Sequence, residues 1–423
     1  MTDAMQSRAS LPLQGTAWAG VSEQLNEHKS NDYAWREGRI PLYMYWRSDD
    51  AYQVARDAYM AYFAENGMGK RAFPSVQKLE KDVIEMVLGL LQAPDAAGGS
   101  FTSGGTESIF QAVKAARELA RATKRLAPGR TGKILVPTTA HPAFAKAALY
   151  LDLNEVRVPI GPDLRVNLQA LQREIDDDTI MIVGSAPNFP HGIFDDITEL
   201  GRLASTSDLW LHVDACVGGM LAPFLKKIGE PIPEFDFSVE GVRSLSVDLH
   251  KYGYASKGAS LVLYRDADLL RYQRFEFDNW PRGYYGTETF LGTRPGGPVA
   301  SAWAVMNHLG TEGYLEGARI VRDVKRKLIA GINRIPGLAV VEPHDLSFLL
   351  YLSTDTDLDI NAVAEGMGAR GWFVGRSVEP SAIHLMLNPV HAPTADTYLQ
   401  DLAEVAADVR ERKATGILDT HTY

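Results

Sequence analysis

Between Gly104 and Tyr264, short apolar runs alternate with amphipathic helical stretches, and this alternation constrains the fold more than any other feature of the chain. The runs are Lys133–Val136, Ile180–Val183, Trp210–Val213, Ser244–Val247 and Ala259–Tyr264. Short buried strands separated by helices predict a mainly parallel sheet covered on both faces, an α/β fold. Helical periodicity precedes this region at Asp50–Glu65 and Val76–Leu91. After it, a long helix is predicted from near Pro298 past Glu316. Strand-like runs (Leu338–Val341, Ser347–Leu352, Ala382–Leu387) and helices (Ile360–Arg370, Thr394–Arg412) follow. The chain has 423 residues, and one hydrophobic core stops growing near ~250–300. The expected organisation is therefore an N-terminal arm (1–55), a large domain (56–315) and a small C-terminal α+β domain (316–423).

Composition removes several function classes. A net charge of −10 argues against a nucleic-acid partner, which calls for a basic face. Cys216 is the one cysteine, which excludes an internal disulfide and fits a reducing compartment. Residues 1–31 lack a basic-then-apolar signal pattern, and no run approaches the ~20 apolar residues of a membrane span. The expectation is a soluble cytoplasmic protein without stable membrane insertion. A zinc site is a poor reading, because the histidines are widely spaced and no His-x-x-x-His pair exists.

The chemistry-bearing residues gather where predicted strands end. Lys251 lies in the run Ser246 to Tyr254, directly after a histidine. An unpaired lysine normally stays at the surface, but one whose amine bonds an aldehyde cofactor has a reason to be inside. Asp214 ends a second run, where open α/β sheets bind ligands. A carboxylate there can pair with a protonated ring nitrogen or simply cap a helix. Glycines at Thr102-Ser-Gly-Gly-Thr-Glu-Ser108 open a helix, so Gly105 and Thr106 can hold a phosphate. A plain glycine turn is the other reading; a nucleotide loop lacks its Gly-Lys-Ser/Thr. His141 is placed to stack on a flat ring, and His212 and His250 flank the two anchors, although a lone histidine is more often a core residue. Gly292 and Thr293, beside Arg294, offer a second set of phosphate donors or an ordinary loop.

Taken in order, these motifs resemble the pyridoxal-phosphate-dependent group II decarboxylase superfamily of fold-type I, and within it the sphingosine-1-phosphate lyases. The matching segments are 102–108, His-Pro-Ala-Phe-Ala-Lys-Ala-Ala at 141–148, Phe-Pro-His-Gly at 189–192 and His-Val-Asp-Ala-Cys-Val-Gly-Gly at 212–219. Asp-Leu-His-Lys-Tyr-Gly-Tyr-Ala-Ser-Lys-Gly at 248–258 and Gly-Thr-Arg-Pro-Gly-Gly at 292–297 complete the series, and the resemblance spans residues 36–390.

That resemblance implies pyridoxal 5′-phosphate as cofactor and a homodimer with each active site at the subunit interface. It implies that Lys251 bonds the cofactor, Asp214 pairs with its ring nitrogen and His141 stacks on the ring. Gly105 and Thr106 hold its phosphate, joined by Gly292 and Thr293 from the partner subunit. His250 stands beside the lysine, and His212 belongs to the same cofactor group. Lys257 meets a substrate phosphate, and Tyr45 and Tyr285 face the substrate. The implied reaction is cleavage of Cα–Cβ in a phosphorylated 2-amino-3-hydroxy compound, giving an aldehyde and phosphoethanolamine. The alternative is α-decarboxylation of an L-amino acid, and a catalytically silent cofactor-binding protein is a third reading, opposed by intact Lys251, Asp214 and His141. The general base is open among Tyr285, His191 and Lys251. Two departures stand out. The membrane anchor of eukaryotic members is missing, and Gly69 occupies the place of a phosphate-contacting histidine before Phe73-Pro74. Lys70 and Arg71 follow and can supply the charge.

Overall fold

A computed structural model describes residues 8–418, so the first seven residues of the expected arm lie outside it. The arm contains a helix that periodicity did not announce, α1 (Trp18–Lys29). It buries no residue, so it has no apolar stripe to read in the sequence. Next comes α2 (Asp49–Ala61), whose N-cap Ser48 accepts a bond from the Ala51 amide, and α3 (Pro74–Leu90), which starts on a proline and buries Val76, Val83 and Val87.

The large sheet has seven strands: β1 (Gly98–Thr102), β2 (Lys133–Pro137), β3 (Asn154–Val158), β4 (Thr179–Ser185), β5 (Trp210–Asp214), β6 (Val242–Asp248) and β7 (Ser260–Tyr264). Their order is β1-β7-β6-β5-β4-β2-β3, with β7 antiparallel to both neighbours and the remaining pairs parallel. Two of the seven were not expected. β1 opens on two glycines, and β3 lies at the sheet edge and fully buries only Val158, so neither reads as an apolar run. Helices α4 (Gly105–Ala122) and α5 (Ala143–Tyr150) pack one face through residues such as Val113 and Phe144. The other face carries the larger core, into which α3 inserts its valines.

A hairpin of β8 (Phe275–Phe277) and β9 (Tyr285–Thr287) precedes the long helix Gly296–Ile332. That helix serves both cores. Val299, Ala302 and Val305 face the large one and Val324, Leu328 and Ile332 the small one, with a left-handed break at Gly310 (φ 53°). The small sheet, in the order β10-β11-β13-β12, is antiparallel: β10 (Leu338–Val340), β11 (Phe348–Ser353), β12 (Gly375–Ser377) and β13 (Ala382–Met386). Three-residue β12 is too short to show an alternation.

The parallel register decides what meets at the sheet's carboxyl edge. Ser185 lies beside Asp214, and Asp214 beside Ser246. Lys251 follows in the next turn, whose Leu249 and His250 amides both bond the Ala259 carbonyl ahead of β7.

Candidate active site

A cavity of about 550 Å³ opens at this edge. It brings together Tyr45 from the arm, Gly105 and Thr106 from the start of α4, His141 before α5, Asp214 from the end of β5, and His250, Lys251 and Lys257 from the β6–β7 connection.

Lys251 Nζ lies 3.0 Å from Asp248 Oδ2. Burial works against an ammonium there, but Asp248 first, then Tyr45, Cys216 and Asp214, outweigh it and raise the amine above an ordinary lysine. Asp248 is itself buried. Burial would raise its carboxyl, yet Lys251 and His250 hold it below the usual carboxylate range. Its Oδ1 has no hydrogen-bond partner among the described residues. Asp248 opens the 248–258 segment, but nothing in the sequence pattern singles it out.

Asp214 Oδ1 accepts from the Cys216 amide and the Ser246 hydroxyl, both at 3.1 Å, while Oδ2 carries no protein hydrogen bond among the described residues. Behind it runs an ordered chain. Trp210 Nε1 donates to Ser244 Oγ (2.7 Å), which lies 2.8 Å from His212 Nδ1, and His212 Nε2 lies 3.3 Å from Ser246 Oγ. Burial lowers the His212 pKa to about 4, so the ring is neutral and has one N–H. The Ser246 hydroxyl hydrogen goes to Asp214 and the Ser244 Oγ accepts from Trp210. That assigns the hydrogens: Ser244 O–H to Nδ1, and Nε2–H to Ser246 Oγ. His212 therefore orients Asp214 through Ser246 and does not line the cavity, because it sits two residues back from the strand's carboxyl end.

His141 Nδ1 accepts from the Ala143 amide at 3.1 Å, and burial lowers its pKa despite Asp214 nearby. His250 bonds the Ala259 carbonyl through Nδ1 at 2.7 Å, and its pKa too is lowered by burial. At α4, the first intrahelical bond is Ser108 N to Gly104 O, which leaves the Gly105, Thr106 and Glu107 amides without helical acceptors. A side chain at Gly105 would place its Cβ 2.8 Å from Cys216 Sγ and 2.9 Å from Asp248 Oδ2, so only glycine fits. At the rim, Lys257 Nζ donates to the Tyr43 carbonyl (3.2 Å) and lies 5.1 Å over the Tyr45 ring. Confinement and then Lys251 lower its pKa to about 8.

The other expected residues stand elsewhere. Tyr285 lies in the β8–β9 hairpin, edge-on to Phe275 and Trp280, and an added Cβ on Gly292 would lie 3.2 Å from its hydroxyl. Thr293 Oγ1 lies 3.4 Å from Asn66 Nδ2. Lys70, 3.9 Å from Glu288, and Arg71 are exposed in the same neighbourhood, and none of these five lines the cavity. His191 is buried with Nε2 2.9 Å from the Glu379 carbonyl, also outside the cavity. Arg294, read as a loop residue, is held in a two-pronged pair with Glu80 at 3.0 and 3.2 Å. Among the described residues there is no cluster suited to a metal ion and no helix able to cross a membrane.

A lysine amine in a cavity, a carboxylate with one open oxygen, open amides at a helix start and a glycine-only cradle suit an anionic aldehyde with a basic ring nitrogen. The chain belongs to the family described as the pyridoxal-dependent decarboxylase conserved domain, matched over residues 35–341. The cofactor of this enzyme class is pyridoxal 5′-phosphate, and the residues of the cavity fit it. More particular likenesses follow. The chain is 38% identical to a sphingosine-1-phosphate lyase of Arabidopsis thaliana, over 95% of this chain and 74% of that one. It superposes on the structure of a Burkholderia pseudomallei sphingosine-1-phosphate lyase with a TM-score of 0.90 and 33% identity, covering 97% and 95% of the two chains. A Methanothermobacter thermautotrophicus protein named "Probable L-tyrosine/L-aspartate decarboxylase" is 35% identical over 80% of this chain and 90% of its own.

Proposed function

We propose that the protein is a pyridoxal-phosphate-dependent lyase of the sphingosine-1-phosphate lyase type. It would cleave Cα–Cβ of a phosphorylated 2-amino-3-hydroxy substrate to an aldehyde and phosphoethanolamine. The observation that carries this reading is a second cation, Lys257, held over Tyr45 at the rim of the cavity that contains Lys251. When bound, the cofactor supplies an electron sink for the bond broken at Cα.

The chain's own groups do the rest. Lys251 would hold the cofactor, and its amine, when free, would be a base inside the cavity. Asp214 Oδ2 would pair with the ring nitrogen, and the His212–Ser246 chain orients the carboxylate for it. His141 would stack on the ring, and the Gly105 and Thr106 amides, with His250, would hold the cofactor phosphate. Lys257 and Tyr45 take the substrate phosphate. The hydroxyl proton must leave the substrate and one proton must return to Cα. Of the three candidate bases, only Lys251 lines the cavity of its own chain.

Tyr285, Gly292 and Thr293, with Lys70 and Arg71, complete the cavity of a second copy in a homodimer. Large exposed aromatic side chains occur close to them in the chain: Phe63, Tyr284 and Phe290 are 67%, 57% and 65% accessible. A cytoplasmic location is part of this reading, and the lone cysteine fits its reducing conditions. A second reading, α-decarboxylation of an amino acid, is favoured by Gly69 standing where a phosphate-contacting histidine is expected.

Incubation of cofactor-loaded protein with sphinganine-1-phosphate, followed by mass spectrometry, tests the first reading. A long-chain aldehyde and phosphoethanolamine, absent with Lys251→Ala, are expected. No product from this substrate, together with carbon dioxide from one of a panel of amino acids, selects the second.

A further inference from the structure

The cofactor anchor has a partner inside its own turn. Asp248 closes β6 and Lys251 stands three residues on, with their charged atoms 3.0 Å apart. The carboxylate side chain is 4% accessible, and its other oxygen finds no hydrogen bond among the described residues. His250 Nε2 lies 3.7 Å from Oδ2, but burial disfavours the charged imidazole, which leaves Lys251 as the close cation. Around the pair stand His141, Asp214, Cys216, Tyr45 and Lys257, and the Ser260 hydroxyl of β7 also reaches the carboxylate. A buried carboxylate with one close cation is costly to strip of it, so the lysine is held where it is.

We infer that Asp248 is a positioning residue that gates cofactor capture: it keeps Lys251 as an ammonium, and the pair must open before the amine can attack. The inference rests on the proposed role of Lys251. The ammonium must first release one proton, since only the neutral amine has the lone pair that attacks the aldehyde carbon. The carbon–nitrogen double bond then forms as the aldehyde oxygen leaves as water. The raised basicity of Lys251 and the depressed acidity range of Asp248 agree with this arrangement.

The test uses cofactor-free protein mixed with pyridoxal 5′-phosphate from about pH 6 to 10. Capture is followed by the absorbance of bound cofactor and by borohydride trapping at Lys251 with mass spectrometry. Each rate is divided by that of N-acetyl-lysine at the same pH, which removes the cofactor's own titration. For the wild type this ratio should stay flat across the range, because both amines remain largely protonated. Asp248→Asn should capture at least about tenfold faster near pH 7, the effect of one unit in the amine's basicity. Its ratio should then fall as pH rises, because a buried lysine without its carboxylate is neutral earlier. A wild-type ratio that falls below pH 9 overturns the inference even if the variant does not fold. So does a folded variant with the wild-type profile. Capture by neither protein, or trapping at another lysine, overturns the anchor role of Lys251 itself.

Discussion

The cavity around Lys251 and the cluster around Tyr285 are built on opposite terms. In the cavity, four of the polar side chains are oriented by neighbours: Asp214 by Ser246 and Cys216, His141 by the Ala143 amide, His250 by the Ala259 carbonyl and Lys251 by Asp248. In the second cluster, Thr293 has a long contact to Asn66, Lys70 stands 3.9 Å from Glu288, and aromatic rings around them face outward. Strand ends fix the first set within one chain. A hairpin and loops hold out the second set, to be met by a second copy under the proposal above. Under that proposal the contrast separates two tasks: the anchoring of the cofactor ring would belong to the fold of each chain, and completion of the phosphate and substrate sites to the pair.

The largest effect should come from Lys251→Ala, which removes both the covalent attachment and the cavity's own base. Product formation should fall to background, and the absorbance of covalently held cofactor should be missing. The variant should still bind cofactor noncovalently through Asp214 and the α4 amides. Mixing this variant with Tyr285→Phe then breaks or sharpens the comparison directly. If Tyr285 serves the partner's cavity, each mixed dimer regains one intact site. Refolding or subunit exchange should then restore roughly one quarter of wild-type sites from two inactive parents, by random pairing in a two-fold dimer. Recovery no greater than the parents' sum would place Tyr285 within its own chain's site and sink the shared-site reading.

The sequence foretold the first region far better than the second, for physical reasons. Strands buried on both faces of a sheet are largely apolar, so parallel β2, β4, β5 and β6 and antiparallel β7 stand out, and the residues closing β5 and β6 lie at the carboxyl edge where such sheets bind ligands. Glycine-rich β1, edge strand β3 and the exposed hairpin carry no such pattern. Residue type alone also could not separate touching the cavity from standing behind it. His212 and Asp214 share a strand face, and only the structure shows the serine between them. The ion pair of Arg294 could not be read from its loop, because its partner Glu80 is more than two hundred residues away in sequence.

Lys257 gives a graded test of the rim. Its pKa lies below that of an ordinary lysine, at about 8, because confinement and Lys251 disfavour the ammonium. It is charged below that pH and neutral above it. A phosphorylated substrate should therefore bind better below pH 8, with KM rising as pH climbs through it. Lys257→Gln should raise KM by at least about tenfold at pH 7, the lower end of the ~1.5–3 kcal/mol of a charge-assisted hydrogen bond. It should also remove that pH step while leaving cofactor absorbance unchanged. An unchanged KM would move phosphate recognition to Lys70 or Arg71 and so to the second region.

The smallest expected effect probes why the first region is rigid. Ser246→Ala deletes the hydroxyl between His212 and Asp214, leaving a buried imidazole N–H without an acceptor and Asp214 with only the Cys216 amide. A lost bond of this kind costs about 1–3 kcal/mol. Thermal stability should fall by a few degrees, and cofactor release into a carbonyl scavenger should quicken several-fold, while the Lys251 attachment persists. Thr293→Ala, in the outward-facing cluster, should leave the stability of the isolated chain unchanged, because its hydroxyl has only the 3.4 Å contact to Asn66. If Ser246→Ala releases cofactor at the wild-type rate, the Cys216 amide alone suffices to hold Asp214. His212 would then be a core histidine with no part in the site.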